Sequence, residues 1–239
     1  MEELEILIPV HYEAANIVPC LDSLEAFVSS KFSVILCYDD DEDNTISAVE
    51  SGKNYSFNVR FVKNHVQRGL HGAVRSGILV STAPTVLIMP ADDMVNAPLI
   101  DKMLKIQRDG AEVVCPSRFM EGGEVSGYPK PRYFVVRLVA MLLYRLALIP
   151  THDPTNGFRM FSRRVLDSIV IDSTVGGAYS IELLVKAHRL EWGIKEIPAS
   201  WIERSDRKSS FKIFMWAPQY LKWFFYAFAT TYLNRRFNE

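Results

Sequence analysis

Short apolar runs alternate with segments of helical period through the first half of the chain. Leu4-Glu5-Ile6-Leu7-Ile8 predicts a strand stopped by Pro9. Ile17, Leu21, Leu24 and Val28 then recur at spacings of four, three and four, which predicts a helix with one apolar face. Residues 33–38 and 58–62 predict two further buried strands, and 69–80 predicts a helix. A fourth strand is expected over 85–89, a helix over 98–107 with Pro98 near its start, and a fifth strand over 111–115. Near-continuous apolar strands alternating with helices predict a mainly parallel sheet covered on both faces, an α/β fold. Ligands in such sheets bind beyond the carboxyl ends of the strands.

The second half changes character. Gly, Pro and Lys fill residues 122–132, a loop, and 133–149 predicts a long apolar helix ended by Pro150. A helix over 178–190, a strand over 194–197 and an aromatic-rich helical stretch over 211–233 complete the pattern. Neither an internal repeat nor a low-complexity linker appears, so one domain with a C-terminal appendage is expected. Residues 133–149 would make a helix about 25 Å long, interrupted by Arg137 and Arg145. Charge placed there disfavours a membrane span and favours a helix lying in the interface, its guanidiniums reaching headgroups; an internal core helix is the alternative. Trp216, Trp223, Phe224, Phe225, Tyr226, Phe228 and Tyr232, with Lys212, Lys222, Arg235 and Arg236 around them, suit a membrane interface or a hydrophobic partner.

Composition narrows the class. The 239 residues are 49% hydrophobic and 23% charged, a globular balance, and the net charge of −1 argues against general nucleic-acid binding. Cys20, Cys37 and Cys115 form no metal or disulfide pattern and fit buried thiols in a reducing cytoplasm. The acidic start, Met1-Glu2-Glu3-Leu4-Glu5, is unlike a signal peptide. A cytoplasmic protein attached to the inner face of a membrane is therefore expected.

Two acidic clusters carry candidate chemistry. Tyr38-Asp39-Asp40-Asp41-Glu42-Asp43 follows the second strand, where carboxylates either accept hydrogen bonds from a nucleobase and ribose or cap a solvated turn. Met89-Pro90-Ala91-Asp92-Asp93 follows the fourth, where paired carboxylates suit a hard divalent cation and a diphosphate, or cap the next helix. Two clusters at one sheet edge favour a nucleoside diphosphate with a metal over two unrelated turns.

With Ile8-Pro9-Val10-His11-Tyr12-Glu13 before them, these clusters resemble the nucleotide-sugar half of family 2 glycosyltransferases of the GT-A fold. The resemblance continues in order through Arg68-Gly69-Leu70-His71-Gly72-Ala73, Pro116-Ser117-Arg118-Phe119 with Gly122-Gly123, Asp153-Pro154-Thr155-Asn156-Gly157-Phe158-Arg159, Glu182, Glu196-Ile197-Pro198 and Arg204. The subgroup it resembles is the dolichyl- or polyprenyl-phosphate mannosyltransferases. That resemblance implies a GT-A domain over 1–210, with a nucleotide-binding half (1–116) and an acceptor half (117–210). Residues 211–239 would then form an interface helix. It implies that Pro9, His11, Glu13, Tyr38, Asp40, Ala91 and Asp92 hold the nucleotide, and that Asp92 and Asp93 hold Mg2+ or Mn2+. Arg204 and Lys212 or Lys208 would hold the diphosphate, Arg118, Arg132 and Arg137 an acceptor phosphate, and Asp92, Arg118 and Arg204 would be catalytic. Pro90 stands where the family's first metal carboxylate is usual, and Met94 where a polar ligand is common, so metal use stays open.

The reaction implied is transfer of one sugar from a nucleoside diphosphate sugar to a polyprenyl phosphate, with inversion implied by the family alone. An ionised phosphate acceptor needs no strong general base. Two alternatives remain at this stage: transfer to a hydroxyl of a lipid-linked glycan, with Asp153 as base, or an inactive nucleotide-binding membrane scaffold. Partners expected are the donor, the lipid phosphate, a membrane surface and a second copy or a membrane protein, with no nucleic acid.

Overall fold

The computed structural model of the chain describes residues 2–203 and 213–233, with the side chains of the last segment described from Trp216 onward. Arg204, Lys208 and Lys212, expected to hold a diphosphate, lie outside the described residues, as do Arg235 and Arg236. Strands β1 (Leu4–Pro9), β2 (Phe32–Tyr38), β3 (Asn58–Lys63), β4 (Thr85–Ile88) and β5 (Val113–Ser117) form where the apolar runs predict them. Helices α1 (Ala14–Phe27), α3 (Leu70–Val80) and α4 (Ile100–Arg108, entered by a 3-10 turn at Ala97–Leu99) connect them. Between β2 and β3 lies α2 (Asn44–Glu50), which the apolar pattern does not reveal. Only Thr45 and Val49 of its seven residues are buried, and its start depends on the Asp43 side chain accepting from the Thr45 N–H.

The remaining elements are β6 (Glu124–Ser126), α5 (Lys130–Arg145), β7 (Arg159–Ser162), α6 (Arg163–Ser168), α7 (Ala178–Arg189), β8 (Ile194–Pro198), β9 (Ser200–Ile202) and α8 (Ile213–Tyr232). The seven-stranded sheet has the order β3-β2-β1-β4-β7-β5-β8, parallel except for β7, which runs antiparallel to both β4 and β5. This insertion decides the site. Register pairs Ile88 at the carboxyl end of β4 with Arg159 at the start of β7. The loop that enters β7, residues 150–158, therefore lands on the carboxyl edge of the parallel strands, beside Pro90.

Alternation along β1 divides the core. Leu4, Ile6 and Ile8 pack with Ile17, Leu21, Leu24, Met103 and Leu104 on one face. On the other, Leu7 joins Ile35, Ala73, Val74, Leu183, Leu184, Trp223 and Ala227. Cys20, Cys37 and Cys115 are free and buried as expected, burial pushing their thiols up, Cys115 to about 11.

One boundary shifts. The predicted helix 133–149 starts at Lys130 and ends at Arg145, because Pro131 is tolerated in a first turn whose N–H groups need no partner. The C-terminal helix α8 packs against the rest of the chain. Trp223 is fully buried with its Nε1 donating to Ser173 Oγ (2.8 Å), Thr231 Oγ1 donates to Ala147 O (2.6 Å), and Arg189 lies 3.3 Å over the Tyr226 ring. Among the described residues no helix is long and apolar enough to cross a membrane.

Candidate functional site

At the carboxyl edge of β1 and β2, the turn from β1 into α1 is clipped to the start of α2. The backbone N–H groups of Tyr12, Glu13 and Ala14 donate in succession to Asp43 Oδ2 (3.0 Å), Thr45 Oγ1 (2.8 Å) and Asn44 Oδ1 (3.4 Å). His11 and Tyr12 stand exposed there with ring centroids 4.9 Å apart, edge to face. Pro9 and Tyr38 are half-buried beneath them, whereas Glu13 is buried and accepts from Asn16 Nδ2 (2.7 Å). Of the residues expected to meet a base and ribose, His11 is thus presented outward and Glu13 is turned into the helix start.

The five consecutive acids are compatible because each of four has its own structural partner. Asp39 accepts from Asn64 Nδ2 (2.6 Å) and the Gly69 N–H (2.8 Å), which fixes the loop from β3 into α3. That loop requires glycine at position 72, where a Cβ would meet the Gln67 carbonyl oxygen at 1.6 Å. Asp41 pairs with Lys63, and the buried Asp43 caps α2. Asp40 pairs with Arg68 at 3.0 Å near solvent, where an ion pair contributes about 0–1 kcal/mol and yields readily to a ligand. Asp39 and Asp40 are thus both half-exposed, Asp39 engaged by the loop into α3 and Asp40 by the weaker surface ion pair.

The central cluster divides sharply. Ala91 is buried and Asp92 half-buried beyond β4. Asp93 is 2% exposed, and both its oxygens accept from the turn it caps: Oδ1 from the Val95 and Asn96 N–H groups, Oδ2 from Asn96 Nδ2. Burial raises its carboxyl above the ordinary value despite those bonds, and the neighbouring Asp92 charge adds to the rise. Asp93 therefore serves the fold, and Asn96 goes on to tie Ser200, donating to its carbonyl (2.8 Å) and accepting from its N–H (3.1 Å). Among the described residues no group of three or more His, Cys, Asp or Glu could hold a metal ion. A cation at this edge would meet one half-buried carboxylate of the expected pair, Asp92, with Asp93 engaged by its turn, a donor set compatible with Mg2+ only if a ligand supplied further oxygens.

Arg118 and Arg132 line an amphipathic cavity of about 480 Å3. Pro90, Tyr128, Thr155, Asn156 and Gly157 border its polar end; Val135, Leu138, Val139 and Leu142 of α5 face Ala217, Leu221 and Phe224 of α8 along its apolar length. Arg118 is 8% exposed and forks onto the fully buried Asp153, with Nε to Oδ2 at 2.6 Å and Nη2 to Oδ1 at 2.9 Å. Burial alone would raise the Asp153 carboxyl, but the Arg118 charge and hydrogen bonds hold it below the usual range. Arg132 pairs with Glu203 (2.9 Å) and stacks 4.6 Å over Tyr128, which also lies 6.0 Å from the Arg118 guanidinium. Arg137 is exposed, donates to the Phe119 carbonyl (2.9 Å) and lies outside the cavity lining. Two of the three arginines expected at an acceptor phosphate therefore converge, and the third braces the loop after β5. Tyr128, Trp201 and Tyr220 join this lining without a motif to announce them; only the aromatic character of 128 and 220 near arginine-bearing segments hinted at it.

Residues 5–170 match the family model described as glycosyl transferase family 2, well over half of the chain. The chain is 23% identical over 215 residues to a dolichol-phosphate mannosyltransferase of Pyrococcus furiosus, covering 88% of this chain and 59% of that protein. It thus spans about three fifths of that relative's length. It is 26% identical over 225 residues to a dolichyl-phosphate beta-glucosyltransferase of Dictyostelium discoideum, covering 86% of this chain and 68% of the relative. Its fold is similar to that of glucosyl-3-phosphoglycerate synthase from Mycobacterium tuberculosis, solved with Mn2+, UDP-glucose and phosphoglyceric acid. The TM-score is 0.72 at 17% identity, over 95% of this chain and 80% of that one. An ordered motif series, a carboxyl-edge site and the match over residues 5–170 lead to one conclusion: this chain belongs to glycosyl transferase family 2.

Proposed function

We propose that this protein transfers a sugar from a nucleoside diphosphate sugar to a polyprenyl phosphate at a membrane surface, on its cytoplasmic face. The observation that carries this reading is the shape and chemistry of the cavity. Two guanidiniums at its polar end match phosphate oxygens, and the apolar walls of α5 and α8 match a hydrocarbon chain. The polar end borders Pro90, two residues from Asp92, so an acceptor phosphate seated there lies next to the donor diphosphate. The curated relatives named above act, by their names, on dolichol or dolichyl phosphate, which agrees with this assignment.

In the reaction an acceptor phosphate oxygen attacks the anomeric carbon, the bond from that carbon to the diphosphate oxygen breaks, and a nucleoside diphosphate leaves. A phosphate monoester is mostly doubly ionised at pH 7, so no residue need remove a proton. Asp153 is saturated by Arg118 and buried, which counts against the alternative in which it deprotonates a glycan hydroxyl. Arg118, oriented by Asp153, and Arg132 would hold the acceptor, while Asp92, Arg204 and Lys212 would serve the leaving group. A divalent cation bound with the donor would neutralise the diphosphate, with Asp92 as its protein ligand.

The test is a screen of UDP- and GDP-sugars against polyprenyl phosphate and lipid-linked glycans, with and without Mn2+. Transfer to the lipid phosphate is expected, with Asp92→Ala lowering kcat by roughly 10²–10³. Equal use of glycan hydroxyls, or nucleotide binding with no turnover on any acceptor, would overturn the reading.

A further inference from the structure

Glu203 directly follows β9, two positions after Trp201, so both side chains leave the strand on one face. Its backbone is fixed, because the Glu203 N–H donates to Ser126 O (2.8 Å) and so continues the pairing of β9 with β6. The carboxylate is divided between two residues of the cavity lining. Oε1 accepts from Arg132 Nη1 (2.9 Å), and Oε2 accepts from Trp201 Nε1 (3.0 Å). Glu203 is not itself in that lining and acts on the cavity through these two partners.

Two ion pairs of unlike burial thus stand at the polar end. The side chains of Arg118 and Asp153 are 8% and 0% exposed, and parting them would leave a charge buried and unpaired. Those of Arg132 and Glu203 are 22% and 19% exposed, so this is the pair that can exchange partners. A carboxylate anchored by Trp201 stays in place when Arg132 turns to a phosphate, and it competes at the high effective concentration of a group on the same chain. Its charge also repels the phosphate that Arg132 takes up. Both effects weaken the hold on the acceptor monoester and, after transfer, on the phosphodiester product. Binding made equally with acceptor and product does not speed the chemistry, and too tight a hold delays release.

We propose that Glu203 is an exchange partner for the acceptor site: it yields Arg132 to the acceptor phosphate and reclaims it as the phosphodiester leaves. The site is thereby kept from being held by its own product. This rests on the polyprenyl phosphate reading given above. Glu203 is then a positioning residue that acts through Arg132 and limits affinity, where a merely structural support would raise it.

The experiment uses the full chain and measures calorimetric affinity for farnesyl phosphate and for its methyl phosphodiester, which stands in for the product. Acceptor KM and kcat are measured with the donor that the screen above identifies. Glu203→Gln keeps the shape and the bond from Trp201 and removes the charge. It is expected to bind both probes roughly fivefold more tightly, to lower the acceptor KM and not to raise kcat. Trp201→Phe keeps the ion pair, and neither probe should bind it more tightly than wild type. Weaker or unchanged binding of either probe by Glu203→Gln, a raised kcat, or equal tightening in Trp201→Phe would overturn the proposal. The structure of the wild-type chain with farnesyl phosphate gives a check that needs no variant. Arg132 should hold the phosphate and be parted from Glu203 by more than about 4 Å; an intact Arg132–Glu203 pair beside the bound phosphate refutes the exchange. A wild-type chain that binds neither probe and transfers no sugar to farnesyl phosphate would refute the polyprenyl phosphate reading itself, and this inference with it.

Discussion

Single residues at this site act in pairs whose members lie far apart in the chain. Arg118 and Asp153 are the clearest case: each is buried, and each is tolerable there because the other neutralises it. Replacing Asp153 by Ala would leave a guanidinium buried without its carboxylate, at a cost of roughly 3–5 kcal/mol. Urea unfolding should show that loss, and the acceptor KM should rise because Arg118 loses its orientation. A stability within about 1 kcal/mol of wild type would show that Arg118 is held by other contacts. Asp93 shows the reverse lesson. Adjacent to the half-buried Asp92 in sequence, it is itself buried and bound to the turn it caps.

Among the elements, α3 is packed closely enough for a single methyl group to matter. Gly77 lets α3 approach the sheet so closely that a Cβ would lie 2.3 Å from Leu7 Cδ1 and 2.7 Å from Cys37 Sγ. Leu7 and Cys37 are both fully buried in a packed core and have little room to give. Gly77→Ala is expected to destabilise by about 1–3 kcal/mol through overpacking, in spite of the better helix propensity of Ala. An unchanged or raised Tm would refute the close approach. The small elements α2, β6, β7 and β9 escaped the apolar pattern because none carries a continuous apolar run or a full helical period of its own; each is held by a side-chain cap or by pairing with a distant strand.

On the scale of the whole molecule, α5 and α8 present exposed apolar stripes on either side of the cavity. Phe134 and Met141 on α5 and Leu221 and Phe225 on α8 are each at least half exposed, with Arg145 and Lys222 beside them. Such a surface suits the interfacial layer of a bilayer. The double substitution Phe134→Ser with Phe225→Ser should lower binding to anionic vesicles at least roughly tenfold and leave nucleotide binding unaltered. Undiminished vesicle binding would move the contact elsewhere. Acid sensitivity is also a global property. His71 is 4% exposed with no hydrogen-bond partner at either ring nitrogen among the described residues, and burial, then the Arg75 charge, lowers its pKa, with Asp39 opposing. The unfolded chain, with an ordinary histidine near 6.5, then takes up a proton before the folded one does. Stability contributed by this group is present above about pH 6.5 and lost as pH falls. Asp153, also lowered, adds a second loss below about pH 4. His71→Leu should flatten the fall in Tm between pH 7 and 5, and an unflattened curve would assign that fall to other groups.

The order of apolar runs by itself determined the parallel strands, the longer helices between them, and the carboxyl edge at which the two acidic clusters emerge; the arginines were assigned only through the family resemblance. Strands, helices and edge depend on local periodicity and on which residues a buried strand can hold, and both are visible in short windows. Only the tertiary structure decided the antiparallel insertion of β7, which brings the 150–158 loop to Pro90, and the partners that sort one carboxylate from the next. Arg118 meets Asp153 across 35 positions, Arg132 meets Glu203 across 71, and Asn96 meets Ser200 across 104. Contacts of that span leave no periodic trace, because they depend on how the whole sheet is ordered. The same reason hides the left-handed backbone of Tyr12, φ +56°, whose N–H donates to Asp43 across 31 positions.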